Sequence, residues 1–393
     1  MKHNWEYKRL GSLCEIVRGG SPRPIQDFLT NADNGLNWIK IGDVAVGSKY
    51  ITSTKEKIKP EGLRKTRQVV KGDFILSNSM SFGRPYILKI DGCIHDGWLA
   101  IKGVKNHFLP DFLYYFLSSP TTYSLFEKLV KGGVVSNLNS DIVKGISVPV
   151  PPMAVQEQIV AELDKINEVI ADCRELLRNL DALAQSLFYD YFGDPITNPK
   201  GWDRKPLMNA VIEMFLGPFG SALKTDCYVS KDNAFAMVYE QKHAIKKTLE
   251  QENHFINKEK FMSLKRFEVI PLDFIMSCRG TIGQLYQIPE NSPRGIIHPS
   301  LMKIRLNSTT YNPVFFKFLL PIIIKEQQTK GNCVQMAITA KELGSKKLPV
   351  PPLALQEKFA ARIEQIEEQK KAVEQTIAEL QTLLDSRMDY WFN

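Results

Sequence analysis

A long stretch of the sequence occurs twice, and this repeat constrains the fold more than any other feature. VPVPPMAVQEQIVAELDKI begins at Val148 and LPVPPLALQEKFAARIEQI begins at Leu348, so the two copies lie 200 residues apart. The match continues without a gap to Phe192 and Phe392. Weaker matches, such as GDFILSNSMSFG with LDFIMSCRGTIG, follow the same order in both halves. The pattern predicts a tandem duplication of one unit, which is too few copies for a solenoid.

Each unit is predicted to be a mixed domain followed by a long helix, so the expected fold class is α+β. The mixed domains span residues 1–150 and 194–350, and the helices span residues 151–193 and 351–393. Clusters of β-branched and aromatic residues predict short strands in the first domain, around residues 37–46, 68–77, 84–90 and 94–102. The prolines of PVPP are expected to end each domain, because proline can neither continue a strand ladder nor sit inside a helix.

The bulk composition bounds the class of protein. A chain of 393 residues with 44% hydrophobic content fits two folded domains. No apolar run approaches the ~20 residues of a membrane span, and MKHNWEYKRL lacks the apolar core of a secretory signal. Six scattered cysteines suit free thiols in a reducing cytoplasm rather than a disulfide or zinc framework. The net charge of +8 favours a polyanionic partner such as nucleic acid.

The two long helices are predicted to form an antiparallel coiled coil. Apolar residues recur with alternating steps of four and three, which is the spacing of a heptad seam. Lys370 and Arg387 interrupt the second stripe, either as breaks in the seam or through their aliphatic stems. The predicted seam residues are Ile159, Leu163, Ile166, Ile170, Leu177, Leu180, Ile363, Ile366, Val373, Ile377, Leu380 and Leu384.

The direction of the helices follows from chain connectivity. The second mixed domain starts just after the first helix and ends just before the second, so short linkers hold opposite helix ends against one domain. Paired helices must then run antiparallel, with a mixed domain at each end and an approximate two-fold relation between the halves. Such a rod is either a dimerisation strut or a ruler that holds two DNA-reading heads a fixed distance apart, and the sequence leaves both open.

At this level of detail the chain resembles the specificity (S) subunit of type I restriction–modification systems. The resemblance covers essentially the whole chain and rests on PVPPMAVQEQIV and PVPPLALQEKFA at the two helix starts, with GDFILSNSMSFG and LDFIMSCRGTIG inside the heads. It implies a non-catalytic subunit in which each mixed domain is a target recognition domain for one half of a bipartite DNA target. It further implies two methyltransferase (modification) subunits docked on the helices, and restriction/translocase subunits, which carry S-adenosylmethionine, ATP and Mg.

Motifs of catalysis are missing from the sequence. No amino-methyltransferase signature, glycine-rich cofactor loop or phosphate loop occurs, so no cofactor is expected on this chain. His95 and His298 fall at equivalent repeat positions without a second ligand at metal spacing, which favours a structural or DNA-backbone role. Two other functions stay open: a two-headed coiled-coil adaptor for proteins, and a DNA methyltransferase or nuclease in its own right.

Candidate DNA contacts are the basic, amide and hydroxyl side chains in or beside the turns of the heads. They are Arg18, Ser21, Arg23, Lys40, Asn78, Ser79 and Arg84 in the first head, and Ser221, Lys224, Lys242, Lys246, Arg279 and Thr281 in the second. Candidate partner contacts are the residues that recur identically after PVPP, namely Gln156, Glu157, Gln356 and Glu357. Alternatively, the glutamates serve the first helical turn, where they complement the helix dipole.

Overall fold

The chain folds into two compact units in a computed structural model that describes residues 4–44, 48–78, 82–131, 137–330 and 337–393. The first unit comprises residues 1–175 and 373–393, and the second comprises residues 176–372. Each unit therefore takes one half of each long helix. We call residues 4–150 the first head and residues 194–350 the second head. Within the described residues, no helix combines the length and apolarity that a membrane crossing requires.

The first head begins and ends with strands. Its strands are β1 (Glu6–Arg9), β2 (Glu15–Arg18), β3 (Leu29–Thr30), β4 (Leu36–Ile39), β5 (Tyr50–Ile51), β6 (Glu56–Ile58), β7 (Arg67–Val69), β8 (Phe74–Ser77), β9 (Pro85–Leu88), β10 (Gly92–Ile94), β11 (Trp98–Lys102) and β12 (Ser147–Val150). Its helices are α1 (Leu10–Leu13), α2 (Pro110–Ser118), α3 (Pro120–Lys131) and α4 (Ser140–Gly145), and the long helix α5 (Met153–Phe192) follows.

The second head repeats the order of the strands with fewer of them, and its short helices differ. Its strands are β13 (Arg204–Pro206), β14 (Val211–Leu216), β15 (Ala236–Tyr239), β16 (Phe255–Ile256), β17 (Glu268–Val269), β18 (Phe274–Ser277), β19 (Leu285–Gln287), β20 (Gly295–Ile297), β21 (Leu301–Leu306) and β22 (Lys347–Pro349). Its helices are α6 (Gln241–Lys246), α7 (Lys258–Ser263), α8 (Pro313–Lys330) and α9 (Ala340–Ser345), and the long helix α10 (Leu353–Phe392) follows.

Each head contains three sheets with corresponding strand orders, and β3 and β5 at the sheet edges of the first head have no counterpart among the named strands of the second. In the first head the strand orders are β3-β6-β4-β10-β7, β2-β11-β8-β9-β5 and β1-β12. In the second head they are β16-β15-β20-β17, β14-β21-β18-β19 and β13-β22. The pairs β4–β10 and β15–β20 are parallel, at the same place in each head. The α+β class and the duplication predicted from the sequence are confirmed.

The middle sheet of each head is buried on both faces. In β8, Phe74 and Leu76 belong to the core on the helix side, whereas Ile75 belongs to the core shared with the other large sheet. In β18, Phe274 and Met276 face the helices and Ile275 faces the second sheet. Since successive side chains of a strand point to opposite faces, a strand covered on both sides has no polar alternation.

The two-stranded sheets close each head where the chain enters and leaves it. Tyr7 pairs with Pro149 in one ladder, and Arg204 pairs with Pro349 in the other. The expectation that these prolines could not continue a strand ladder is wrong. A two-stranded ladder consists only of edge strands, and an edge strand tolerates a residue that cannot donate a hydrogen bond.

In the first unit, the start of α5 and the end of α10 run antiparallel and complete the core of the head. Ile159 and Leu163 of α5 share one buried cluster with Met388 and Phe392 of α10 and with residues of the head. The ring of Phe392 lies 5.7 Å from that of Phe112. The helix ends are therefore part of the head's own core.

The second unit has the corresponding arrangement with the helices exchanged. Phe188 and Phe192 near the end of α5 contact Phe359 near the start of α10, with ring centroids 5.9 and 5.3 Å apart. The ring of Phe192 also lies 4.5 Å from that of Phe315 in α8. The predicted antiparallel pairing is confirmed inside each unit.

The polar residues that interrupt the second heptad stripe form ion pairs between the helices. In the first unit, the Arg387 guanidinium of α10 hydrogen-bonds both carboxylate oxygens of Glu162 in α5. In the second unit, Lys370 Nζ of α10 lies 2.8 Å from Asp181 Oδ1 of α5. Each pair matches one register of the antiparallel helices. An apolar seam alone would specify that register less strictly.

The other predicted seam residues differ in burial. Ile159, Leu163, Ile170, Leu180, Ile363, Ile366 and Leu384 are buried, whereas Ile166, Leu177, Val373, Ile377 and Leu380 are half-buried.

A buried glutamine ties each long helix to its head. Gln156 is 0% exposed, and its Oε1 accepts a hydrogen bond from the Leu109 backbone N–H at 2.8 Å. Its Nε2 donates to the carbonyl oxygens of His107 and Pro151 at 3.2 and 2.9 Å. The side chain thus supplies hydrogen-bond partners to three backbone groups that the segment before α2 and the start of α5 leave unpaired.

Gln356 makes the same three bonds in the second unit. Its Oε1 accepts from the Asn312 N–H at 2.9 Å, and its Nε2 donates to the carbonyls of Thr310 and Pro351 at 3.1 and 2.8 Å. The prediction that Gln156 and Gln356 contact a partner is wrong, because both side chains are 0% exposed and fully bonded inside their own units. The Gln of the repeated motif is conserved between the two copies for this internal bonding.

We expect Gln156→Ala to lower the free energy of unfolding of the first unit by about 2–3 kcal/mol, because it leaves buried backbone groups without partners. Urea titration followed by tryptophan fluorescence measures this in a Trp202→Phe background, where the remaining tryptophans, residues 5, 38, 98 and 391, all lie in the first unit. The control is Glu157→Ala at the exposed neighbouring position, which should change the value by less than about 0.5 kcal/mol. Equal losses for the two variants would contradict the role of Gln156.

The Glu162–Arg387 pair should make the stability of the first unit depend on pH. The hydrogen bond from Arg387 lowers the pKa of Glu162 below its ordinary value. Its stabilisation is then present at neutral pH and is lost as the pH falls through the pKa of the folded protein. Because the pair is partly exposed, we expect Glu162→Gln to cost about 1 kcal/mol or less at pH 7.

The same fluorescence titration at pH 7, 5.5 and 4 checks this expectation. The difference between wild type and Glu162→Gln should shrink towards pH 4, as Glu162 of the wild type becomes protonated. A difference that stays constant over this range would exclude a titrating pair.

Candidate nucleic-acid interface

In the first head, the turn after β10 gathers four of the predicted DNA-binding residues around Asp96. Ser21 Oγ donates to Asp96 Oδ1 at 2.7 Å, and Arg23 lies 3.5 Å from Oδ2. The backbone carbonyl of Asp96 accepts from Arg18 Nε at 3.1 Å and from Asn78 Nδ2 at 2.8 Å. The hydrogen bond from Ser21 is the main cause that lowers the pKa of Asp96, so the carboxylate is charged at neutral pH.

These four residues differ in what they leave accessible. The Arg23 side chain is 82% exposed, and Arg18 is also exposed. Asn78 is buried, and its amide donates to the turn, so the prediction that Asn78 contacts DNA is corrected to a positioning role. Ser79 lies outside the described residues.

A glycine in each head allows the loop after the second strand of that head, β2 or β14, to approach this turn closely. A Cβ added to Gly19 would lie 2.1 Å from the His95 carbonyl oxygen, and one added to Gly217 would lie 2.3 Å from that of His298. Any other residue would therefore push the loop away from the turn. Arg18 and Leu216 precede these glycines, so the two heads present different side chains at the same place.

His95 and His298 shape the turns. His95 Nδ1 accepts from the Gly97 N–H at 2.6 Å, and His298 Nδ1 accepts from the Ser300 N–H at 3.2 Å. Burial lowers the pKa of both histidines, so both are neutral at physiological pH and are poor partners for phosphate. Across the described part of the chain, no group of three or more His, Cys, Asp or Glu side chains could hold a metal ion.

An open groove of about 830 Å³ lies beside the Asp96 turn. Trp38 forms part of its buried wall, and Lys40 and Glu56 form an ion pair in it, with Lys40 Nζ 2.6 Å from Glu56 Oε1. The residues that line the groove are Ser21, Pro22, Arg23, Pro24, Ile25, Gln26, Leu29, Trp38, Lys40, Glu56 and His95. The groove thus combines apolar walls with hydrogen-bonding groups.

The register of the strands identifies the same positions in the second head. The backbone N–H of His95 donates to the Ile39 carbonyl, and that of His298 donates to the Tyr239 carbonyl, so Glu240 occupies the place of Lys40. Trp38 pairs with Glu56 in the first head. In the second head, the Val238 N–H donates to the His254 carbonyl, so His254 occupies the place of Glu56.

The second head also has an ion pair at this place. Glu240 Oε2 lies 2.9 Å from His254 Nδ1 and 2.8 Å from Lys242 Nζ. Burial alone would raise the pKa of Glu240, but the bonds from Lys242 and His254 outweigh it and lower the pKa. The Tyr228 ring stacks on His254 with centroids 4.5 Å apart, which fixes the plane of the imidazole.

The remaining candidates of the heads are placed on their surfaces. Gln241 Nε2 donates to the Arg279 carbonyl at 2.8 Å, which brings the start of α6 against the turn after β18. Ser221, Lys224, Lys246, Arg279, Thr281 and Arg84 are exposed, and Lys242 is half-buried. Their contacts with DNA stay a prediction.

On the helices, Glu157 and Glu357 are exposed in the first turns of α5 and α10. Their contact with a partner stays a prediction.

Reasoning from the sequence missed Asp96, Glu56 and His254 at these sites. Asp96 was visible in the repeated segment IHDGWLAIK, where its place is taken by Pro299 in the second copy. Glu56 and His254 lie in segments without recognisable similarity, so only the strand register relates them.

Three comparisons bear on the identity of the chain. The family model of the type I restriction modification DNA specificity domain matches residues 2–179 and 216–382. A protein of Methanocaldococcus jannaschii named as the MjaX type I restriction enzyme specificity subunit is 23% identical over 385 residues, which covers 93% of this chain and 87% of that protein. A chain in a solved structure concerned with complex assembly and conformational transition of the type I R-M system superposes with a TM-score of 0.63 at 21% identity, over 99% of this chain and 97% of that chain.

The family match spans the first head, most of the second head and most of both long helices. It describes specificity for DNA rather than catalysis, in agreement with the prediction that this chain is not an enzyme. The chain therefore belongs to the type I restriction modification DNA specificity domain family and is a specificity subunit with two target recognition domains.

Proposed function

We propose that each head binds one half of a bipartite target in double-stranded DNA, and that the two heads read different sequences. The observation that carries this proposal is the pair of equivalent polar sites around positions 40 and 240, built on one fold with different side chains. Direct readout depends on which donors and acceptors face the base edges. Two heads that have the same strand arrangement but different side chains at these positions are suited to different half-sites.

Electrostatics supports binding to a polyanion. The chain carries 51 Lys and Arg against 43 Asp and Glu residues. Around the Asp96 turn, Arg23 is 82% exposed and Arg18 is exposed, so both guanidinium groups can reach phosphates. Such contacts fix the register of a protein on DNA, and the polar groups of the groove then select the base.

We further propose that the long helices set the gap between the half-sites. Each helix has 40 residues, which corresponds to a length of about 60 Å. The Glu162–Arg387 and Lys370–Asp181 pairs support one antiparallel register in each unit. A helix pair with a fixed register can act as a ruler, which the strut alternative does not require.

The partners we propose are two methyltransferase (modification) subunits and restriction/translocase subunits. S-adenosylmethionine, ATP and Mg would be bound by those subunits. Exposed Glu157 and Glu357, which recur at the same step of each long helix, support two equivalent docking positions. Methylation of DNA by the purified chain alone with S-adenosylmethionine would contradict the proposal that catalysis belongs to the modification subunits. The absence of any linked modification subunit would favour the adaptor.

We expect Arg23→Ala to weaken the binding of DNA and to reduce the slope of log K against log salt concentration by about one. The physical reason is that one fewer phosphate is neutralised and one fewer counterion is released. Titration of a labelled duplex at several salt concentrations, with the assembled complex, measures both quantities. Lys144→Ala, which removes an exposed lysine of the same head that pairs with Asp141, is the control and should leave the slope unchanged. The same slope for Arg23→Ala and wild type would exclude a phosphate contact.

Shortening both helices by one heptad should change the gap and leave both half-sites intact. Deletion of residues 171–177 together with 371–377 keeps the heptad phase and the two interhelical ion pairs. The gap should shorten by about three base pairs, since seven helical residues rise about 10 Å and DNA rises about 3.4 Å per base pair.

Sequencing of modified bases in cells that carry this variant checks the ruler. The control replaces the exposed Asp172, Arg174 and Glu175 with alanine at unchanged length, and should keep the original gap. An unaltered gap in the shortened protein would leave the strut as the better description.

A further inference from the structure

The two heads carry hydrogen-bonded polar pairs with donor and acceptor exchanged at one place of the same fold. In the first head, the residue that follows β4 is a cation, Lys40, and its partner across the sheet on β6 is an anion, Glu56. In the second head, the residue that follows β15 is an anion, Glu240, and its partner beside β16 is His254. The strand register at the pair is the same in both heads, so the exchange changes the chemistry at one equivalent position.

Both pairs are partly exposed to solvent. The side chains of Lys40 and Glu56 are 32% and 37% exposed, and both line the groove beside the Asp96 turn. In the second pair the side chain of His254 is 42% exposed and that of Glu240 is 17% exposed. These groups differ from the Lys303–Glu213 pair of the second head, whose lysine is only 2% exposed and donates to the Glu268 carbonyl in the interior.

The two pairs offer different hydrogen-bonding groups. The Lys40 ammonium has three donors, of which the bond to Glu56 uses one, so donors remain for a base. Glu240 is an acceptor only, and a carboxylate at this place accepts from amino groups. Since a carboxylate cannot donate, His254 Nδ1 carries the proton towards Glu240, and Nε2 is left at the far side of the ring.

We propose that these pairs are specificity-determining residues of the two target recognition domains, an inference that rests on the proposed reading of DNA by the heads. Lys40 donates to an acceptor edge such as that of guanine, and Glu240 accepts from the amino group of cytosine or adenine. Glu56, His254 and Lys242 hold these groups in place. The half-sites therefore differ at the base pair that faces this position.

The test transfers the pair of the second head to the first, with the double substitution Lys40→Glu and Glu56→His. The variant is expressed with the modification subunit in cells that lack the wild-type gene, and modified bases are mapped across the genome. We expect one base pair of one half-site to change, the other half-site to stay, and modification of the original target to fall by about tenfold or more. Lys40→Arg, which keeps the donor, should retain the original base.

The control reverses another ion pair of the same head, with Glu6→Lys and Lys8→Glu on β1, 3.1 Å apart and outside the groove. It should modify the original targets. If the double variant of the first head fails to fold, the reciprocal exchange, Glu240→Lys with His254→Glu, tests the same inference in the second head.

The outcomes distinguish a failure of this inference from a failure of the proposed function. Unchanged half-sites in both exchanges would overturn the role of the pairs, while a bipartite pattern in the wild type would still support the proposed function. A wild type that gives no bipartite pattern with its modification subunit would instead overturn the proposed function.

Discussion

The closure of each head by the ends of two helices is the constraint on which the rest of the structure depends. In the first unit, Phe392 at the end of α10 packs against Phe112 and Phe116, and Ile159 near the start of α5 joins the same core. Without those helix ends, apolar residues of the head that pack against them, such as Phe112 and Phe116, would be exposed. A head and its two helix ends are therefore one folding entity, and exchange of a head between proteins requires helix ends that fit it.

The two glutamines and the two interhelical ion pairs constrain different parts of the arrangement of head and helices. Gln156 and Gln356 fix where each helix leaves its head, because each satisfies three backbone groups at the junction. Arg387 and Lys370 match one register of the helices, since each has one acidic partner on α5. Together they hold the head and its helix ends in one arrangement, which the proposed role of the helices as a ruler requires.

Much of the architecture was predictable because it follows from periodicity and repetition. The α+β class, the long helices and their antiparallel direction needed only the duplicated motif, the heptad spacing and the short linkers. The strands were harder to predict from the sequence. The predicted strand 68–77 is two strands, β7 and β8, in different sheets, and the chain turns between them at Gly72 with a φ of +96°. A strand that is apolar on both faces has no alternation to show where it ends, and one left-handed glycine is a weak signal.

The candidate sites divide in the same way. The amino-acid sequence by itself determined the duplicated plan and the basic, turn-rich character of the heads, because these depend on local spacing and composition. Only the tertiary structure decided that Gln156 and Gln356 are internal, that Asp96 gathers Arg18, Ser21, Arg23 and Asn78 around one turn, and that the Lys40–Glu56 pair corresponds to Glu240–His254. The physical reason is that burial and pairing depend on which strands lie side by side, and segments with no sequence similarity meet in the same register only once the sheets have formed.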